Sequence, residues 1–132
     1  MILVDTSVLI DFFRGVENKP VEKFNDLIER NLPFGINNYI YQELLQGSAS
    51  EKDFKNLKDY LVTQRFYHLK KAQESHENAA RLYFICRRKG LTIKSTVDFL
   101  IAQTAIENDL MLLHNDRDFT EMAKIIRELK IY

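Results

Sequence analysis

Cysteine, proline and glycine are all scarce in this chain, and each scarcity excludes something. Cys86 is the only cysteine among 132 residues, so no intramolecular disulfide can form and a zinc ribbon lacks its ligands. A lone Cys inside an apolar stretch reads as a small buried hydrophobe. The only prolines are Pro20 and Pro33, and no low-complexity stretch or linker interrupts the chain. The four glycines form neither a Walker-type phosphate loop nor a GxGxxG turn. His68, His76 and His114 are scattered, without HxxxH or HExxH spacing, so a zinc site is not expected. No run approaches the ~18 apolar residues that span a bilayer. The start, MILVDTSVLIDFFRG, carries Asp5 and Asp11 and lacks a basic n-region and a small-residue cleavage site, so it does not read as a signal peptide. The expected setting is soluble, reducing and cytoplasmic, with no membrane partner.

Charge of one sign is absent as well. Lys plus Arg number 19 and so do Asp plus Glu, a formal net charge of zero. That excludes a chain gripping nucleic acid through bulk positive charge, but not an enzyme with a local site. The zero hides a split. Residues 65–94 hold eight bases (Arg65, Lys70, Lys71, Arg81, Arg87, Arg88, Lys89, Lys94) against Glu74 and Glu77, a net of +6. This segment reads either as a solvated helix face or as a phosphate-contacting rim beside an acidic site.

Hydrophobic residues make up 45% of the chain, including nine Phe and six Tyr, enough for one core and against disorder. The length suits a single domain over residues 1–132. Residues 1–4 form a short apolar run that predicts a buried strand, with Asp5 at its end. Thr6 and Ser7 are cap candidates for a helix carrying Val8, Leu9, Phe12 and Phe13, which Gly15 ends. Pro20 opens a second helix with the stripe Val21, Phe24, Leu27, Ile28. Residues 33–36 predict a strand, and Asn37 and Asn38 cap a helix closed by Gly47. A further helix runs from Ser48 or Ser50 through Leu61. Residues 66–69 predict a strand and 72–89 a long helix with Gly90 beyond it.

Ser95-Thr96-Val97-Asp98 resembles a capping box with Asp in place of Glu, opening an apolar helix. Residues 110–113 predict a strand ending at His114-Asn115-Asp116. A last helix over about 119–129 and an edge strand at Ile131-Tyr132 follow. Strands alternating with helices predict a three-layer α/β/α sandwich around a mostly parallel sheet of four or five strands.

Asp5 and Asp116 each follow a strand, which places both on the carboxyl edge, where parallel sheets bind ligands. Carboxylates converging there raise one another's pKa unless a cation intervenes. Oxygen ligands suit Mg²⁺ or Mn²⁺ rather than zinc. Glu43, in YIYQELLQG, and Asp98, in STVDFLIAQTA, lie at helix positions that could face the same edge. Alone, Asp98 reads as a capping carboxylate and Glu43 as a solvated helix residue. The four together in an α/β setting make the case.

Four segments, ILVDTSVLIDFFRG, YQELLQG, TVDFLIAQTA and LLHNDRDF, in this order and spacing, resemble the PIN-domain ribonucleases, and among them the short VapC-type toxins of toxin–antitoxin pairs. The resemblance covers essentially the whole chain. It implies an acidic pocket binding one or two Mg²⁺ or Mn²⁺ ions that assist RNA phosphodiester hydrolysis. By position Asp5, Glu43, Asp98 and Asp116 match the four acids, as metal ligands and catalytic groups. Asp118 is an alternative or supporting ligand, and Thr6 and Asn115 are supporting residues. Arg87, Arg88, Lys89 and Lys94 are candidate RNA contacts. Arg117 stays open between a salt bridge and a phosphate contact, and His114 between a strand-end structural role and a substrate contact. The resemblance also implies a cognate antitoxin covering the site, and homodimerisation. The competing readings are a receiver-like Mg²⁺-binding signalling domain, a PIN-like domain that binds RNA or protein without cutting, and a structure-specific DNA nuclease. The first lacks its paired early acids and late Lys–Pro pair here.

Overall fold

A computed structural model describes all residues, Met1–Tyr132. Five strands alternate with seven helices: β1 (Ile2–Val4), α1 (Thr6–Phe13), α2 (Lys19–Glu29), β2 (Phe34–Ile36), α3 (Asn38–Gln46), α4 (Glu51–Leu61), β3 (Arg65–Phe66), α5 (Gln73–Arg88), α6 (Thr96–Glu107), β4 (Met111–Leu113), α7 (Arg117–Ile125) and β5 (Lys130–Ile131). The strands form one sheet in the order β3-β2-β1-β4-β5, and every pairing is parallel. Right-handed crossovers put α1–α4 on one face and α5–α7 on the other, giving the expected α/β/α sandwich. The helix contacts agree: α1 touches α2 and α3, while α5 touches α6 and α7.

β1 is central because it is the most apolar strand. Ile2, Leu3 and Val4 are all buried, with Leu3 beside Gly35 on one flank and Leu112 on the other. From β1 the chain winds outward in one direction to β2 and β3. It then returns to β4 and β5 on the other side. The reversal between β1 and β4 opens a crevice at the carboxyl edge of the sheet. The residues emerging there are Asp5 and His114-Asn115-Asp116. A bond from the Asp5 N–H to the Leu113 carbonyl, 2.9 Å, ties the two exits together.

The core is one cluster of 27 buried apolar residues, including Cys86. α2 shows how the sequence builds it. Asn18 caps the helix through the Val21 N–H at 3.0 Å, and Val21, Phe24 and Leu27 recur on the buried side. Phe24 meets Phe12 and Phe34 edge to face, at 4.9 and 5.0 Å between centroids. No helix is long and apolar enough to cross a membrane.

Several local expectations change. Asp5, not Thr6 or Ser7, caps α1. Ser95 makes no side-chain cap bond, so the capping box does not form; Asp98 faces the other acids instead of turning back. β3 is only Arg65–Phe66, although the Tyr67 N–H still bonds the Ile36 carbonyl at 2.8 Å. α7 begins earlier, at Arg117, because Asp116 caps it. It also ends earlier, where Ile126 turns extended (ψ 98°) to bring β5 beside β4.

Gly35 is demanded by close approach. A Cβ there would lie 2.6 Å from the Arg65 carbonyl oxygen and 2.6 Å from the Tyr67 ring. Gly47, with φ −79°, has nothing nearer than 3.5 Å. Gly35→Ala should therefore destabilise by about 1–3 kcal/mol in urea denaturation. Gly47→Ala should stay within ~0.5 kcal/mol of wild type. Equal stability of the two variants would contradict this packing at the β2–β3 junction.

Candidate metal centre

Asp5 is the deepest of the acids, 4% exposed. Its Oδ2 accepts from the Ser7 N–H at 3.0 Å and the Ser7 hydroxyl at 2.6 Å. The Ser7 hydroxyl in turn accepts from the Asn115 N–H at 2.9 Å. One small side chain thus links the ends of β1 and β4. The Asn115 side chain donates to Asp11 at 3.0 Å, as does Asn18, so Asn115 anchors its loop to α1 rather than touching the acids. The sequence offers Ser7 only as a cap candidate and does not single out Asp11 for the site. Their i, i+4 spacing, which places them on one face of α1, was the available signal.

Glu43 comes from the middle of α3 and accepts a 2.8 Å bond from the buried Thr6 hydroxyl through Oε1. Asp98 lies in the first turn of α6, and Asp116 and Asp118 at the start of α7. One carboxylate oxygen from each of Asp98, Asp116 and Asp118 lies within 4.8 Å of the others. Asp118 therefore joins the closest trio. Asp116 Oδ1 also accepts from the Asp118 N–H at 2.9 Å, which fixes the pair. Asp5 and Glu43 stand outside this trio but within electrostatic reach of Asp98.

The electrostatics follow from this crowding. Burial is the largest influence on Asp98, reinforced by the charges of Asp116, Asp5, Glu43 and Asp118, and its pKa rises to about 7. A carboxylate in the first turn of a helix ordinarily gains from the dipole, but here burial and like charge win. Burial also raises Asp5, to about 6, against the lowering effect of its two bonds from Ser7. His114 accepts from the Asp116 N–H through Nδ1 at 3.1 Å and rests against Phe119. Burial lowers its pKa, so it stands as a neutral imidazole at the strand end.

The other sequence candidates are exposed and form no salt bridge with the acids. Arg87 and Arg88 end α5, Lys89 follows them, and all three are exposed, as is Lys94 just before α6. The Tyr83–Phe99 ring contact, 5.4 Å between centroids, holds this end of α5 against the start of α6, where Asp98 lies. Arg117 is exposed and forms no salt bridge.

Residues 2–125 match the family model described as PIN domain. This chain belongs to the PIN-domain family. It is 30% identical over 126 residues to VapC ribonuclease Mb1587 of Mycobacterium bovis, covering 95% of this chain and 93% of that protein. Ribonuclease VapC11 of Mycobacterium tuberculosis matches to the same extent. Among solved structures, VapBC2 from Rickettsia felis bound to a promoter DNA fragment aligns with a TM-score of 0.75 at 20% identity, covering 100% of this chain and 98% of that one. FitAB bound to IR36 DNA also gives a TM-score of 0.75, at 17% identity, over 100% and 94% of the two chains. These structures share the fold of this PIN domain. Family membership sets aside the receiver-like reading.

The raised carboxyls make a stability prediction whose sign is fixed. A carboxyl with a raised folded-state pKa favours folding while protonated. That contribution is whole below the ordinary value of 3.8 and lost as pH rises through about 6 for Asp5 and about 7 for Asp98. In EDTA, this PIN domain should lose on the order of 1–3 kcal/mol between pH 5 and pH 8, a range that discounts Asp98 for its partial exposure. Asp98→Asn should flatten that slope in thermal melts. Stability rising from pH 5 to 8 would contradict the crowding described.

Proposed function

We propose that this PIN domain is a metal-dependent endoribonuclease and the toxin of a toxin–antitoxin pair, working in the cytoplasm. The observation that carries the metal-dependent reading is the convergence of Asp98, Asp116 and Asp118 beside Asp5 and Glu43 at the β1–β4 crevice. The names of the VapC relatives support the ribonuclease reading.

The donor set fits a hard divalent cation. It is all oxygen, it carries an excess of negative charge, and the one nearby histidine has Nδ1 committed to the Asp116 N–H. Asp98, Asp116 and Asp118 would hold the ion, with Asp5 and Glu43 supporting it or holding a second. Bound Mg²⁺ or Mn²⁺ supplies the Lewis acidity that activates water and offsets charge on the phosphate. The chain's own work is positioning. Ser7 fixes Asp5, Thr6 orients Glu43, and Asp116 sets Asp118 through its backbone. With no cation bound, Asp98 is half protonated near pH 7. Cation binding and loss of that proton are therefore linked, and activity should rise through neutral pH.

Asp98→Asn and Asp116→Asn should each lower the cleavage of purified RNA by more than ~100-fold, beyond what loss of a supporting bond costs. Thr6→Val, which leaves Glu43 unoriented, should lower it ~10–100-fold. EDTA should abolish cleavage. Cutting that survives EDTA, or survives in Asp98→Asn protein, would overturn the reading.

We place the antitoxin on an apolar groove of this chain. A groove of about 730 Å³ between α1, α3 and α4 is lined by Phe13, Leu57 and Tyr60, with two acids, Glu43 and Asp53, and one base, Arg14, among its polar groups. The Ser48 hydroxyl in its wall has no hydrogen-bond partner. An amphipathic segment carrying a basic residue would cover the aromatic wall and reach Glu43. Several solved neighbours are named as two-component VapBC or FitAB assemblies. Tyr60→Asp should weaken capture of the cognate antitoxin at least tenfold and leave RNA cleavage by the free protein intact. Unchanged capture would place the antitoxin elsewhere.

A further inference from the structure

α5 carries a feature that ion binding and antitoxin docking leave unused. Near its C-terminal end Tyr83 is 36% exposed and Phe84 45% exposed. Each ring has an arginine one turn later stacked on it. The Arg87 guanidinium lies 5.4 Å from the Tyr83 centroid, and that of Arg88 5.6 Å from Phe84. The i, i+4 spacing sets the two pairs side by side on one exposed arc of the helix. None of Arg87, Arg88, Lys89 and Lys94 is in a salt bridge, so their charge is free. The Tyr83 ring also meets Phe99 edge to face, and Phe99 is the residue after Asp98. The platform is therefore fixed in position relative to the acids.

We propose that Tyr83 and Phe84, with Arg87 and Arg88, form a stacking platform that selects single-stranded RNA and leads it to Asp98. This rests on the ribonuclease reading above. Unpaired bases stack on exposed rings, and the arginines take the phosphates or stack in turn. A duplex offers no free base faces, so the rings discriminate where charge alone would not. The charge argues for an anion here rather than a second copy of the chain. A two-fold contact through this face would bring Arg87, Arg88 and Lys89 close to their own counterparts.

The test measures binding and cutting separately. Anisotropy of a labelled single-stranded RNA oligonucleotide in EDTA reads binding alone, with an RNA duplex of the same sequence as control. Tyr83→Ala/Phe84→Ala should weaken single-strand binding about tenfold or more and leave duplex binding and the salt slope little changed. Arg87→Gln/Arg88→Gln should weaken both forms and reduce the salt slope by about one to two. Tyr83→Phe keeps the ring and should bind as wild type, which separates stacking from any folding defect. Equal losses on single strand and duplex in the aromatic variant, or no loss, would overturn the proposal. So would a change in mass by light scattering that accounts for the lost binding, because the face would then join two copies. If wild-type protein cuts RNA with Mg²⁺ while these variants bind normally, the platform fails and the ribonuclease reading stands. If wild type cuts no RNA, the ribonuclease reading fails, and selective single-strand binding by the rings is still decided by anisotropy.

Discussion

The repulsion among carboxylates gathered at the β1–β4 crevice is the constraint on which the rest of this structure depends. Asp5 is buried, and Asp98 feels four other acids. Such a cluster works against folding unless protons or a cation offset it. The surrounding framework accordingly leaves little freedom. Asp5 is gripped from two sides by Ser7, Glu43 by Thr6, and Asp116 by its place at the start of α7. Asp5, Glu43 and Asp116 are held by hydrogen bonds from hydroxyls and backbone N–H groups rather than by a neighbouring base. No lysine or arginine pairs with any of them. An internal salt bridge would relieve the repulsion and remove the affinity for a cation in the same step.

Topology makes that convergence possible. A sheet wound outward in two directions from β1 leaves one place where adjacent strands exit without a helix between them. Both exits carry acids, and the intervening backbone bond from Asp5 to Leu113 keeps them in register. A one-residue slip of β4 against β1 would move Asp116 away from Asp98 and turn Leu112 out of the core. The apolar registry of Leu3 beside Leu112 and Val4 beside Leu113 thus sets the site geometry at a distance.

Much of this was legible in the sequence, for physical reasons that differ by residue. The strands around Asp5 and Asp116 are short apolar runs cut off by acids, and that pattern reports both the element and the edge it exits from. Helix periods placed α1 to α7 to within a few residues, although α6 buries a nearly continuous run, Phe99 and 101–105, and α4 buries only Leu61. From the sequence Asp118 reads only as an alternative to Asp116 or a supporting ligand, because i and i+2 residues diverge on a helix and meet a third group only through the N-cap geometry of Asp116. The failed capping box has the same origin. Ser95 and Asp98 have the right spacing, but an acid drawn into a cluster cannot also turn back on its own helix. The groove beside α4 was beyond pattern reading, because an amphipathic stripe says which face packs, not how completely.

The balance of 19 bases against 19 acids takes on a different meaning once placed in space. The acids of the crevice form a candidate cation site, and the basic end of α5 abuts the start of α6 through Tyr83 and Phe99. A polyanion approaching the cation-free protein meets attraction at the exposed bases of α5 and repulsion at the acids of the crevice. Filling the crevice with a divalent ion removes the repulsive half and leaves the attractive half. Under the proposed function, metal occupancy would change where along the surface RNA is drawn, as well as whether it is cut. A protein neutral overall needs no excess of basic residues to do this, only separation of the two charges across one helix pair.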